Sequence, residues 1–75
     1  MTITMAGPKS GWTGLSETQR DVARLASEAM TNRQIARRLF LSPHTVNYHL
    51  RQIFAKLGIR SRVELARIVE RDLFE

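Results

Sequence analysis

The residues best spaced to do chemistry together lie between Ser42 and Gly58, where Thr45, Asn47, Tyr48, Arg51, Gln52 and Lys56 share one arc of a helical wheel. That arc holds two cations, several hydrogen-bonding side chains and no carboxylate. Such a surface can donate to and accept from the edges and backbone of a nucleic acid. Elsewhere the chain has no glycine-rich phosphate loop, no clustered acid pair and no nucleophile-plus-base pattern. The chemistry on offer is recognition, and the chain reads as a non-enzyme.

The element that must position this arc is a helix whose other side is apolar. Val46, Leu50, Ile53 and Leu57 recur at i, i+4, i+7 and i+11, which makes one stripe. Both ends are written in the same stretch. Ser42 suits the N-cap, Pro43 the first helical position, and Gly58 the left-handed residue just past the end. The spacing predicts a helix over 43–57. Its two histidines, His44 and His49, are five positions apart and so do not share a face as an i, i+4 pair would. No metal site is expected. His49, at the edge of the stripe, is expected to be packed and hydrogen-bonded.

Seventy-five residues, 43% of them hydrophobic, allow one small folded domain. There is no cysteine, which excludes disulfides, thiolate metal sites and cysteine nucleophiles. The longest apolar runs, Leu39 to Leu41 and Ile53 to Ala55, are too short to span a membrane, and the first residues lack the pattern of a signal peptide. The expected location is therefore the cytoplasm. Charge is segregated along the chain. Arg33, Arg37, Arg38, Arg51, Lys56, Arg60 and Arg62 lie between Ala29 and Val63, while every acid lies outside that interval. A polyanionic partner follows from that separation more readily than a merely solvated basic face.

The remaining elements are legible in order. Residues 1–14 hold three of the four glycines and no helical periodicity, and read as a flexible leader. Trp12 is the exception, expected to lie over the core as a lid, or else to dock a partner. Ser16 and Gln19 form a capping box for a first helix of about four turns, with Val22, Leu25, Ala26 and Ala29 on its inner face. Thr31 and Gln34 form a second box for a short helix from Asn32 to about Phe40, with Ile35, Ala36 and Leu39 inward. Only Phe40 and Leu41 separate it from Ser42. So short a connection suits the steep crossing of a helix-turn-helix, with small Ala36 permitting close approach. Both bulky turn residues are expected to plug into the core. Ser61 and Glu64 form a third box, for a last helix running to about Leu73 with Leu65, Ala66, Val69 and Leu73 inward. Val63, Arg67, Glu70 and Phe74 fall roughly opposite. The expected fold is all-α, with four helices over residues 15–75.

These motifs resemble those of the LuxR-type (GerE-like) helix-turn-helix domain of bacterial transcription regulators. The resemblance rests on Leu15-Ser16-Glu17, on Thr31 to Ser42, on Thr45-Val46, His49 and Ile53, and on the Lys56-Leu57-Gly58-Ile59-Arg60-Ser61-Arg62 tail. It covers about residues 15–73, and the tail sets it apart from a generic helix-turn-helix. No receiver or ligand-binding domain of the kind that usually accompanies such domains fits into this length.

The resemblance implies double-stranded DNA as partner, with the third helix in the major groove. Asn47, Tyr48 and Arg51 match the base-reading positions. Arg51 could pair with guanine O6 and N7, and Asn47 with adenine N6 and N7. Tyr48 could touch a thymine methyl or a phosphate. Backbone contacts are expected from Thr31, Asn32 and Arg33, at a helix start whose N–H groups favour an anion. Further backbone contacts are expected from His44 in the first turn, and from Thr45, Lys56, Arg60, Ser61 and Arg62 by family position. A homodimer on an inverted repeat is implied, with Val63, Arg67, Glu70 and Phe74 as its candidate face. Contact with RNA polymerase in the bacterial nucleoid would be compatible with this reading. No cofactor and no small-molecule ligand is expected. Two alternatives remain open: a promoter reader like region 4 of a sigma factor, and an interaction module that pairs with a full-length regulator or with RNA polymerase.

Overall fold

A computed structural model describes Trp12 and residues 14–74, with side chains as far as Arg71. Most of the expected leader, and the side chains of Leu73 and Phe74, lie outside the described residues. Among the described residues four helices follow in order: α1 (Glu17–Ser27), α2 (Asn32–Leu39), α3 (Pro43–Leu57) and α4 (Arg62–Phe74). The all-α expectation holds, and no strand occurs among the described residues.

Each helix start is made by local hydrogen bonds. Ser16 Oγ accepts from Gln19 N–H at 3.1 Å, and Gln19 Oε1 accepts from Ser16 N–H at 3.0 Å. Thr31 and Gln34 repeat this reciprocal pair at 3.1 and 2.9 Å. At α3, Ser42 Oγ accepts from Thr45 N–H at 3.1 Å, with Pro43 in the first turn, where its missing N–H costs nothing. The third expected box is only half made. Ser61 Oγ accepts from Glu64 N–H at 3.2 Å, but the Glu64 carboxylate reaches past Ser61 to the Arg60 N–H at 2.8 Å. A carboxylate can satisfy either free donor at a helix start, and this one takes the turn amide one residue before the cap.

The core gathers one face of every helix. Val22, Ala23 and Ala26 of α1, Ile35 and Ala36 of α2, Val46, Leu50 and Ile53 of α3, and Leu65 and Val69 of α4 are buried with Leu15. Trp12, Leu25, Met30, Leu39, Leu41, Phe54, Leu57 and Ile59 pack half-buried around them. Trp12 is thus the expected lid, and Arg24 sits 5.5 Å over its ring, a favourable cation–π distance. The helix α1 packs most extensively on α4 and also on α3, while α2 packs chiefly on α3. The two capped helices of the helix-turn-helix are therefore clamped from behind by α1.

Two sequence expectations fail at the turns. Ala29, assigned to the inner face of α1, is exposed and left-handed at φ +67°. The helix ends at Ser27, after 11 residues, because the chain folds back there. Met30 N–H bonds to Leu25 C=O at 3.4 Å and Ala29 N–H to Ala26 C=O at 3.1 Å. Met30 then takes the core position that periodicity gave to Ala29. Phe40, expected in the core, is 95% exposed and left-handed at φ +60°. Its N–H and that of Leu41 both close onto Ala36 C=O. That reversal sends Leu41 inward and Phe40 outward, so only one of the two turn residues is plugged.

Candidate nucleic-acid interface

The buried stripe of α3 fixes which of its residues face solvent. Val46 and Ile53 have no exposed surface and Leu50 keeps 5%, so α3 cannot rotate without unburying them. Asn47, Tyr48 and Arg51 are consequently exposed, Tyr48 by 57% of its surface. None of the three forms a hydrogen bond or ion pair among the described residues. Thr45 and Gln52 lie at the edge of the arc, half-buried. The Thr45 hydroxyl already accepts from Ser42 Oγ at 2.9 Å, which leaves its O–H donor and one lone pair.

His49 departs from its expectation in part. The ring is half-buried and meets Tyr48 edge-on, 5.8 Å between centroids. Its Nδ1, however, is enclosed without a hydrogen-bond partner among the described residues. His44 is exposed in the first turn of α3. No group of residues able to hold a metal ion occurs among the described residues.

The backbone candidates divide into those that face solvent and those already engaged. Thr31, Arg33, Arg60 and Ser61 are exposed. At the start of α2 the capping box uses the Thr31 and Gln34 N–H groups, and Ile35 N–H closes the first turn onto Thr31 C=O. Asn32 and Arg33 N–H are the donors left at that end. Lys56 is exposed but directs its ammonium back to α1, donating to Gln19 Oε1 at 3.2 Å. Arg62 is half-buried, and its guanidinium donates to Met30 C=O at 2.7 Å and to Asn32 Oδ1. Sequence reasoning missed both ties, which join residues 37 and about 30 positions apart. Gln19 carried a signal for its cap alone, and no pattern marks Arg62 as a brace.

Along the dimer candidates, Val63 is 64% exposed, with Arg67 and Glu70 also in solvent on the outer side of α4. Phe74 falls outside the described side chains. No helix among the described residues is long and apolar enough to cross a membrane.

Two capped helices joined by the three residues 40–42, the second held by its apolar stripe and bare on its polar arc, define a helix-turn-helix domain. Residues 13–69 match the family described as bacterial regulatory proteins, luxR family. The chain belongs to that family, one of regulators and not of enzymes. Over 58 residues, 77% of this chain, it is 55% identical to a candidate HTH-type transcriptional regulator of Mycobacterium tuberculosis, 7% of which the match covers. It is 42% identical over 53 residues, 71% of this chain and 24% of the relative, to the DNA-binding transcriptional activator DevR/DosR of the same organism. It is 36% identical over 52 residues, 69% of this chain and 24% of the relative, to the nitrate/nitrite response regulator protein NarL of Escherichia coli. The chain thus spans a small part of the length of the relatives it matches.

Proposed function

We propose that the chain binds double-stranded DNA sequence-specifically and regulates transcription, with α3 lying in the major groove. One observation carries this reading. The outer arc of α3 presents Asn47, Tyr48 and Arg51 with no side-chain hydrogen bond or ion pair among the described residues, while the opposite stripe is buried. Arg51 reads guanine, Asn47 reads adenine, and Tyr48 contacts a thymine methyl or a phosphate. Thr31, Asn32 and Arg33 approach one phosphate run at the start of α2, where the Asn32 and Arg33 N–H groups are left to donate. His44, Thr45, Lys56, Arg60 and Ser61 hold the backbone nearby. Two copies pair through the outer side of α4, where Val63 is exposed, and read an inverted repeat with half-sites about one helical turn apart. The site of action is the bacterial nucleoid, with DNA as the partner.

Selection of bound duplexes from a random pool tests the reading directly. Recovered sites should share a motif with two-fold symmetry. Arg51→Ala should then weaken binding by about 1–3 kcal/mol and relax the preference for guanine at one position of each half-site. An unchanged affinity and preference would remove α3 from the reading role. A second reading, an interaction module that pairs with a regulator or with RNA polymerase, is favoured by the exposed Phe40 and Val63. Salt separates the two. DNA binding through several phosphates weakens steeply as salt rises, whereas docking through apolar faces changes little.

A further inference from the structure

We infer that Arg62 is a positioning residue, which holds the start of α2 in place for the DNA backbone, and not itself a ligand of phosphate. The inference rests on the DNA-binding reading above and refines how that surface is built. Family position alone would place Arg62 among the phosphate contacts. Its guanidinium is instead directed inward, to Met30 C=O at 2.7 Å and to Asn32 Oδ1, and the residue is half-buried. Those two acceptors flank Thr31, the N-cap of α2. Met30 closes the turn after α1, and Asn32 is the first residue of α2.

The geometry gives this brace a specific consequence. The α2 capping box spends the Thr31 and Gln34 N–H groups, so the donors left for an anion are those of Asn32 and Arg33. Arg62 grips the side chain of one of those two residues from the first turn of α4. The α2 segment itself is short, and its packing partner is chiefly α3. A planar fork is the side chain suited to the task, since it bonds two acceptors at once along fixed directions. A lysine ammonium has the charge but not the fork.

That difference provides the test. Binding to a duplex selected by the wild-type chain is measured across a salt series for Arg62→Lys, Arg62→Ala, Asn32→Ala and the double variants that combine Asn32→Ala with each Arg62 substitution. Circular dichroism and thermal melts establish that each variant is folded at the assay temperature. A positioning role predicts that Arg62→Lys, which keeps the charge, binds about tenfold more weakly, the scale of one charged hydrogen bond lost. The slope of log affinity against log salt should stay that of the wild type, because no phosphate contact disappears. Each double variant should be no weaker than its Arg62 substitution alone, since both substitutions break one brace. A phosphate ligand predicts otherwise. Arg62→Lys would then keep near wild-type affinity, and the Asn32→Ala loss would add to that of Arg62→Ala, whose slope would fall by about one ion. Either result overturns the positioning role while DNA binding stands. A wild-type chain that selects no duplex at any salt overturns both.

Discussion

The turn after α2 and the turn after α3 have nearly the same backbone and opposite residues. Phe40 stands at φ +60° and Gly58 at φ +67°, each just past a helix end. Each is followed by a half-buried apolar residue, Leu41 or Ile59, whose N–H closes back onto the helix at 2.8 or 3.0 Å. Glycine reaches that region freely, whereas a side chain there costs roughly 1–2 kcal/mol. Phe40 gains no burial in exchange, being 95% exposed. The difference teaches that the α2–α3 turn is not formed by local preference. It is imposed from both sides by the buried faces of α2 and α3, which can meet only if the chain reverses at residue 40. Ala29, at φ +67°, makes the same point after α1. The helix ends obey the core, and where the residue suits the geometry, as at Gly58, that is a local bonus.

If the core imposes the turns, the largest loss should come from the core. Ile53→Ala removes a side chain with no exposed surface from the middle of the α3 stripe, and should cost about 2–5 kcal/mol in chemical denaturation. In a domain this small, such a loss leaves much of the chain unfolded near body temperature. A cost under about 1 kcal/mol, below the scale of the turn strain, would break the comparison at its root. Gly58→Ala should come next. No atom lies within 4 Å of an added Cβ, so only the left-handed backbone resists, and a loss of about 1 kcal/mol in a thermal melt is expected. Smallest is Phe40→Gly, which should stabilise by roughly 0.5–1 kcal/mol once the extra entropy of the unfolded glycine is set against the relieved strain. If it destabilises instead, the exposed ring contributes to the fold in a way that its surroundings do not account for.

The interface shows the same division between local and distant causes. The two reciprocal capping boxes, the Ser42–Pro43 start and the Gly58 end were legible because each is a short-range bargain between neighbours in sequence. The exposed arc of α3 was legible for the same reason. Once 3.6-residue periodicity buries Val46, Leu50 and Ile53, the exposure of Asn47 and Arg51 follows from geometry. Among the cations, charge pattern alone could not separate those that face solvent from those that brace the fold. Arg33 and Arg60 stand outward, whereas Lys56 reaches α1 and Arg62 reaches the turn before α2.

By itself, then, the sequence determined the four helices, their starts, their inner faces and the side of α3 left bare, because capping and periodicity act over a few residues. Tertiary structure decided three other matters. It placed Phe40 in solvent and Leu41 in the core, since two packed helices fixed the turn between them. It ended α1 early and gave the inward place to Met30 in preference to Ala29. It also turned Arg62 from a surface cation into a brace, because its acceptors are brought within reach only when α4 folds back beside α1. Contacts between residues that far apart in sequence leave no local pattern, which is why only the folded chain reveals them.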